Sequence, residues 1–259
     1  MKQNYNSIFE AAYNSLEKQS VLNTRDFAKS FESYKKMQNQ KYSDDEVFWK
    51  LVYVTFYSGF RASTVTGKLE RIKAELGNFQ TLRKLHGKDV TALYNDPGLI
   101  RNKKKIDACI RNAVSFNELI KAFGSFNEYL KSFGDLDNVE NSNELIKDLK
   151  LRFYYLGEIT TYHLLMDLGL NYVKPDRVLC RIFYRLGLIP SVKSYDEVIQ
   201  VGRTFAKSTG YPIRFIDIVF VNYGQEDSKP VHGLRDGICL EEKPKCEVCG
   251  LRKYCKVGL

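Results

Sequence analysis

Apolar residues recur along most of the 259-residue chain at spacings of three and four, and stretches of strict alternation are scarce, which predicts a mainly helical fold. Ser43-Asp44-Asp45-Glu46 places Ser and Glu three apart, as a capping box requires. It opens a predicted helix whose Val47, Phe48, Leu51, Val52 and Val54 face a core. Asn95-Asp96-Pro97-Gly98 signals a turn, and the helix predicted after it carries Arg101, Lys103, Lys104 and Lys105 near its start. Cations there oppose the helix dipole and invite an external anion, although a solvated basic turn is the plainer reading. Between Gly124 and Asn143, glycine, serine, asparagine and acidic residues are frequent, which predicts a loop between helices or a boundary between lobes. The chain has no internal repeat and no long low-complexity tract.

Composition narrows the class. Lys+Arg 40 against Asp+Glu 31 gives a formal charge of +9, which favours a polyanionic partner through phosphate contacts without by itself selecting nucleic acid. The first twenty residues lack the apolar core of a signal peptide, and no run reaches the roughly 18 apolar residues of a membrane span. The expectation is a cytoplasmic protein with no membrane partner. Four of the six cysteines fall in the last 21 residues, which points to a metal site in a reducing compartment rather than a disulfide framework. Cys109 and Cys180 lie in apolar helical contexts and read as buried core thiols.

Cys239, Cys246, Cys249 and Cys255 follow a C-x6-C-x2-C-x5-C spacing. Four soft thiolates within 17 residues can wrap an iron–sulfur cluster or a zinc ion. Structural zinc sites mostly use two short knuckles, and the single C-x2-C here tilts the choice to iron. The spacing resembles the cluster loop of endonuclease III and the adenine glycosylases grouped with it. That resemblance implies a structural [4Fe-4S] cluster on these four residues, with no open coordination site for catalysis. It also implies that the loop's basic side chains, Lys243, Lys245, Arg252 and Lys253, face the DNA backbone, Lys245 being the candidate contact taken forward.

Tyr155-Leu156-Gly157-Glu158-Ile159-Thr160-Thr161-Tyr162-His163-Leu164-Leu165 resembles the helix-hairpin-helix element of the same DNA glycosylase superfamily, here spanning 145–170. N–H groups at such a turn and at the helix start after it bind phosphate. Leu156, Gly157, Glu158 and Thr160 are therefore candidate DNA contacts, mainly through backbone. Tyr155 stands where the superfamily usually has the first of two glycines. Lys174-Pro175-Asp176 follows at the place of the superfamily's essential aspartate, so the resemblance makes Asp176 catalytic, its charge stabilising an oxocarbenium-like transition state and orienting water. Read as a residue alone, Asp176 is an N-cap for Arg177, Val178 and Leu179, and the two roles are compatible. Ile159 occupies the position of the lysine that relatives use for backbone cleavage, which implies hydrolysis without an efficient lyase step; Lys174 is the substitute amine to consider.

Asp96 to Ile106, Lys147 to Gly169 and Phe56 to Ser63 also resemble 3-methyladenine DNA glycosylase I, spreading the similarity over most of 45–190. In that alignment Tyr57 replaces a base-reading glutamate, and the family's zinc site is missing because residues 1–85 contain neither Cys nor His. Phe60 and Arg61 occupy the place of the wedge that fills the gap left by a flipped nucleotide. Tyr57, Tyr162 and His163 are candidates for the base pocket, where neutral rings would suit a cationic alkylated purine.

The expectation is an all-α, two-lobed helix-hairpin-helix DNA glycosylase fold with a C-terminal [4Fe-4S] loop at 239–255. A six-helix lobe covers 39–177, and an N-terminal helix within 1–38 packs with a C-terminal lobe at 178–259. The expected enzyme is a monomeric, nucleoid-associated, monofunctional DNA glycosylase acting on double-stranded DNA with a damaged or modified base. The alternatives are a catalytically silent DNA-binding protein, a bifunctional lyase, and a glycosylase directed at modified foreign DNA.

Overall fold

The computed structural model describes residues 4–37, 41–226 and 232–256. Among them every regular element is helical, and no helix is long and apolar enough to cross a membrane. The chain forms two compact units, Met1–Asn39 with Gly169–Leu259, and Gln40–Leu168. The division expected between 38 and 39 lies outside the described residues. The other falls at Gly169 rather than at 178, which puts Asp176 in the same unit as the cysteine loop.

The Gln40–Leu168 unit contains α4 (Asp44–Tyr57), α5 (Ala62–Thr66), α6 (Leu69–Leu76), α7 (Phe79–Leu82), α8 (Lys88–Asn95), α9 (Lys103–Phe123), α10 (Phe126–Lys131), α11 (Val139–Arg152) and α12 (Glu158–Asp167). The capping box at the start of α4 is formed: Glu46 N–H donates to Ser43 Oγ at 3.3 Å, and Ser43 N–H donates to Glu46 Oε2 at 2.8 Å. Val47, Phe48, Leu51, Val52 and Val54 are all buried. The long helix α9 runs through the unit against α4, α6, α7, α8 and α10. Phe116 at its middle meets Phe79 at 5.0 Å and Phe48 at 5.4 Å, edge to face, the arrangement ring quadrupoles prefer.

The segment expected as a loop or lobe boundary between 124 and 143 instead holds α10. Ser125 Oγ caps it by accepting from Glu128 N–H at 3.1 Å, and Phe126 and Tyr129 are buried. Two aromatic anchors in six residues outweigh the polar flanks that made the segment read as a loop.

The other unit contains α1 (Tyr5–Gln19), α2 (Thr24–Ser30), α3 (Glu32–Lys35), α13 (Arg177–Arg185), α14 (Tyr195–Thr209) and α15 (Ile213–Gly224). Ile8, Phe9, Ala12 and Leu16 make one buried face of α1, which lies on α14 and α15. Helix α15 is buried along nearly its whole length. Two glycines allow close approaches: a Cβ on Gly202 would lie 2.6 Å from Val173 Cγ1, and one on Gly250 would lie 2.2 Å from Ser15 Oγ. The first brings α14 against the strand-like segment before Asp176; the second seats the cysteine loop on α1.

Candidate active site

Asp176 ends an extended segment and caps α13. Its Oδ1 accepts from the N–H groups of Val178 at 2.9 Å and Leu179 at 3.1 Å, the arrangement of a strong N-cap. Its Oδ2 lies 3.8 Å from Lys174 Nζ, and the side chain is 23% exposed. Beneath the segment sits Asp217 of α15, buried at 1% exposure. Its Oδ1 accepts from Lys174 N–H at 3.2 Å and its Oδ2 pairs with Arg214 Nη1 at 2.6 Å. Burial pushes the Asp217 carboxyl up to about 6, with Arg214 opposing and Asp176 adding to the rise. The sequence reading missed Asp217, although a lone carboxylate inside Ile213-Arg214-Phe215-Ile216-Asp217-Ile218-Val219-Phe220 is a legible signal, since unpaired charges are rarely buried.

In the other unit, α11 and α12 are joined by the short turn Phe153–Gly157. Tyr155 takes φ +66°, the left-handed region that a glycine would occupy without strain. Thr160 Oγ1 closes the turn by donating to Tyr155 O at 2.6 Å and accepting from Gly157 N–H at 2.7 Å. Of the residues expected to meet phosphate, Leu156 is buried, so only its backbone is available. The Gly157 amide and Thr160 hydroxyl are already engaged within the turn, and Glu158, exposed at the first turn of α12, pairs with Lys150.

Gly59, at φ +75°, turns the chain after α4. Arg61 beyond it is exposed and Phe60 is half-buried. Of the pocket candidates, Tyr57 and His163 both approach Tyr53, at ring-centroid distances of 4.3 Å and 6.0 Å. Trp49 extends the group at 6.2 Å from Tyr53, so Trp49, Tyr53 and Tyr57 form a stripe four residues apart along α4. Tyr57 Oη is 2.8 Å from Thr66 Oγ1. His163 Nε2 lies 3.3 Å from Asp167 Oδ2, one turn along α12, a contact that orients the imidazole. Tyr162, the next residue round that helix, is buried at 6%. Trp49 and Tyr53 were missed, although their spacing with Tyr57 is visible in the sequence.

Cys239, Cys246, Cys249 and Cys255 line one cavity of about 150 Å³, together with Arg185, Lys245 and Arg252. None of the four is in a disulfide. As the side chains stand, no three His, Cys, Asp or Glu among the described residues are grouped to hold a metal ion. Two of the sulfurs are engaged by the surrounding protein. Arg185 Nη1 is 3.2 Å from Cys239 Sγ, and Tyr223 Oη is 3.2 Å from Cys249 Sγ. Burial raises the Cys239 thiol and Arg185 opposes the rise. Lys245 is half-buried at the cavity wall, with its N–H donating to Ile238 O at 2.9 Å. Cys109 and Cys180 are both buried.

Two solved structures similar to the chain are both of 3-methyladenine DNA glycosylase I. One, from Staphylococcus aureus, is 22% identical with a TM-score of 0.45, covering 54% of this chain and 85% of that one. The other is 21% identical with a TM-score of 0.46, covering 58% and 90%. No curated protein matches the chain. The family model of methyladenine glycosylases matches residues 32–175, more than half of the chain, and stops one residue before Asp176. The chain therefore belongs to the methyladenine glycosylase family and is a DNA glycosylase, a hydrolase of N-glycosyl bonds.

Proposed function

We propose that this glycosylase releases an alkylated purine from double-stranded DNA by hydrolysis and leaves an abasic site, with Asp176 as its catalytic carboxylate. The observation that carries the reading is the division of labour within Asp176. Two α13 amides fix Oδ1, Oδ2 lies 3.8 Å from Lys174 Nζ, and the side chain as a whole is 23% exposed. A carboxylate held that way can face the positive charge that develops on the sugar as the base departs, and can orient the attacking water. Asp217 and Gly202 hold the segment that presents it.

The remaining residues support the same chemistry. The turn between α11 and α12 acts as a helix-hairpin-helix phosphate contact, through the amides that open α12. The ring faces of Trp49, Tyr53 and Tyr57 attract a cationic alkylated purine, with His163 packed against Tyr53. Arg61, exposed after the Gly59 turn, is the residue best placed to enter the duplex when the nucleotide flips. Backbone cleavage needs a free amine at the sugar. Ile159 stands at the hairpin position, and Lys174 lies beside the Asp176 carboxylate.

The cysteine cavity fits a [4Fe-4S] cluster held by Cys239, Cys246, Cys249 and Cys255. Four cysteines outside any disulfide line one space, with cationic side chains around it to offset an anionic group. With four cysteine ligands the cluster supplies no reactive site and fixes the loop that carries Lys245.

The test is incubation of anaerobically purified protein with alkylated, oxidised, deaminated and hypermodified duplexes. Free bases are identified by mass spectrometry and strands are probed with and without alkali. Release of an alkylated purine, with breaks only after alkali, is the expected result. No release from any duplex despite tight DNA binding would replace the reading with a catalytically silent binder, and breaks without alkali would replace it with a lyase.

A further inference from the structure

Lys105 opens α9 as the third of three consecutive lysines, yet it is 4% exposed. Its Nζ donates to Ser58 O at 2.7 Å and to Thr55 O, carbonyls at the C-terminal end of α4 where helical acceptors lack intrahelical partners. Two rings close over the same ammonium: Phe60, from the turn after α4, at 5.3 Å, and Tyr155, from the turn between α11 and α12, at 4.5 Å. Cys109, one turn along α9, is the other titratable group that acts on it.

We propose that Lys105 is a positioning residue that clasps the Ser58–Arg61 turn to the Phe153–Gly157 turn, giving the two segments assigned to DNA one fixed mutual geometry. The inference rests on the glycosylase reading for its purpose, but the clasp is a property of the free protein. An ammonium has three protons to place and favours ring faces when desolvated. Here two hydrogen bonds go to the end of α4, and the rings of Phe60 and Tyr155 lie over the ammonium. Burying a charge is unfavourable, and burial lowers the Lys105 pKa to about 8, so stability alone gives little reason for a lysine here. Tyr155 carries a second unfavourable feature, a positive φ of 66°. Both oddities meet at one contact, and that contact joins the wedge turn to the hairpin turn. Strain and buried charge kept together in this way are a mark of functional positioning.

The test is hydrogen exchange, resolved by segment, on the free full-length chain, together with its affinity for a duplex carrying an abasic-site analogue. Lys105→Met should speed exchange in both turns, 58–62 and 153–158, and weaken binding about tenfold. Tyr155→Leu, which leaves Lys105 in place, should speed exchange at 58–62 but add nothing there in a Lys105→Met background. Faster exchange at 58–62 alone in Lys105→Met would reduce Lys105 to a local cap of α4 and overturn the clasp. If Lys105→Met does not fold, unchanged exchange at 58–62 in Tyr155→Leu overturns it equally. A wild-type chain that bound no such duplex would overturn the glycosylase reading and the purpose given to the clasp, even with both turns loosened as expected.

Discussion

Asp217 accepts a hydrogen bond from the backbone N–H of Lys174 at 3.2 Å, two residues before Asp176, and so ties the segment that carries Asp176 to the buried helix α15. The carboxyl that makes this tie is itself raised to about 6 from an ordinary 3.8, mainly by burial. Between those values the folded chain holds the proton that the unfolded chain has lost. The group's contribution to stability therefore falls as pH rises through the window and levels off above about 6. The change is on the order of 3 kcal/mol. Urea unfolding of wild type and Asp217→Asn at intervals from pH 4 to 7 reads it, because carboxylates that do not interact with Asp217 cancel in the difference. A difference in unfolding free energy that does not move with pH would contradict this account of Asp217.

Tyr155 holds a positive φ where a glycine would carry no strain. Tyr155→Gly and Tyr155→Ala both remove the ring over Lys105, so the comparison between them isolates the backbone. The glycine variant should be the more stable by about 1 to 2 kcal/mol, the ordinary cost of a left-handed conformation for a residue with a Cβ. Denaturant midpoints read this directly, and equal midpoints would mean that the turn relaxes out of the positive-φ region.

For the cysteine loop, iron and acid-labile sulfide measured on anaerobically purified protein should come to about four of each per chain. Cys246→Ser should lose the visible absorbance of the cluster and leave the loop around Lys245 sensitive to proteolysis, while the buried Cys109→Ser should retain the cluster. Zinc without sulfide would replace the cluster with a single ion.

The sequence and the structure agree best where local chemistry decides. The Ser43 capping box and the Asp176 N-cap are each set by residues within four positions of each other, and both were legible, as was the apolar face of α4 from its helical spacing. The missed features depend on partners far along the chain. Asp217 meets Lys174 across 43 residues, and Lys105 meets Ser58 across 47. A lysine in a run of three reads as solvated until the fold closes an α4 terminus and two rings over it. Helix α10 was missed for a local reason: Phe126 and Tyr129 anchor it from within flanks that otherwise favour a turn.

The most direct test of the central claim is base release by Asp176→Asn from alkylated duplex DNA, measured beside wild type together with DNA affinity. Asparagine caps a helix about as well as aspartate, so the fold and the start of α13 are expected to survive, and only the negative charge is removed. Loss of release by at least about a hundredfold with binding retained is the predicted result. Release at the wild-type rate would show that Asp176 only caps α13 and that the catalytic group lies elsewhere.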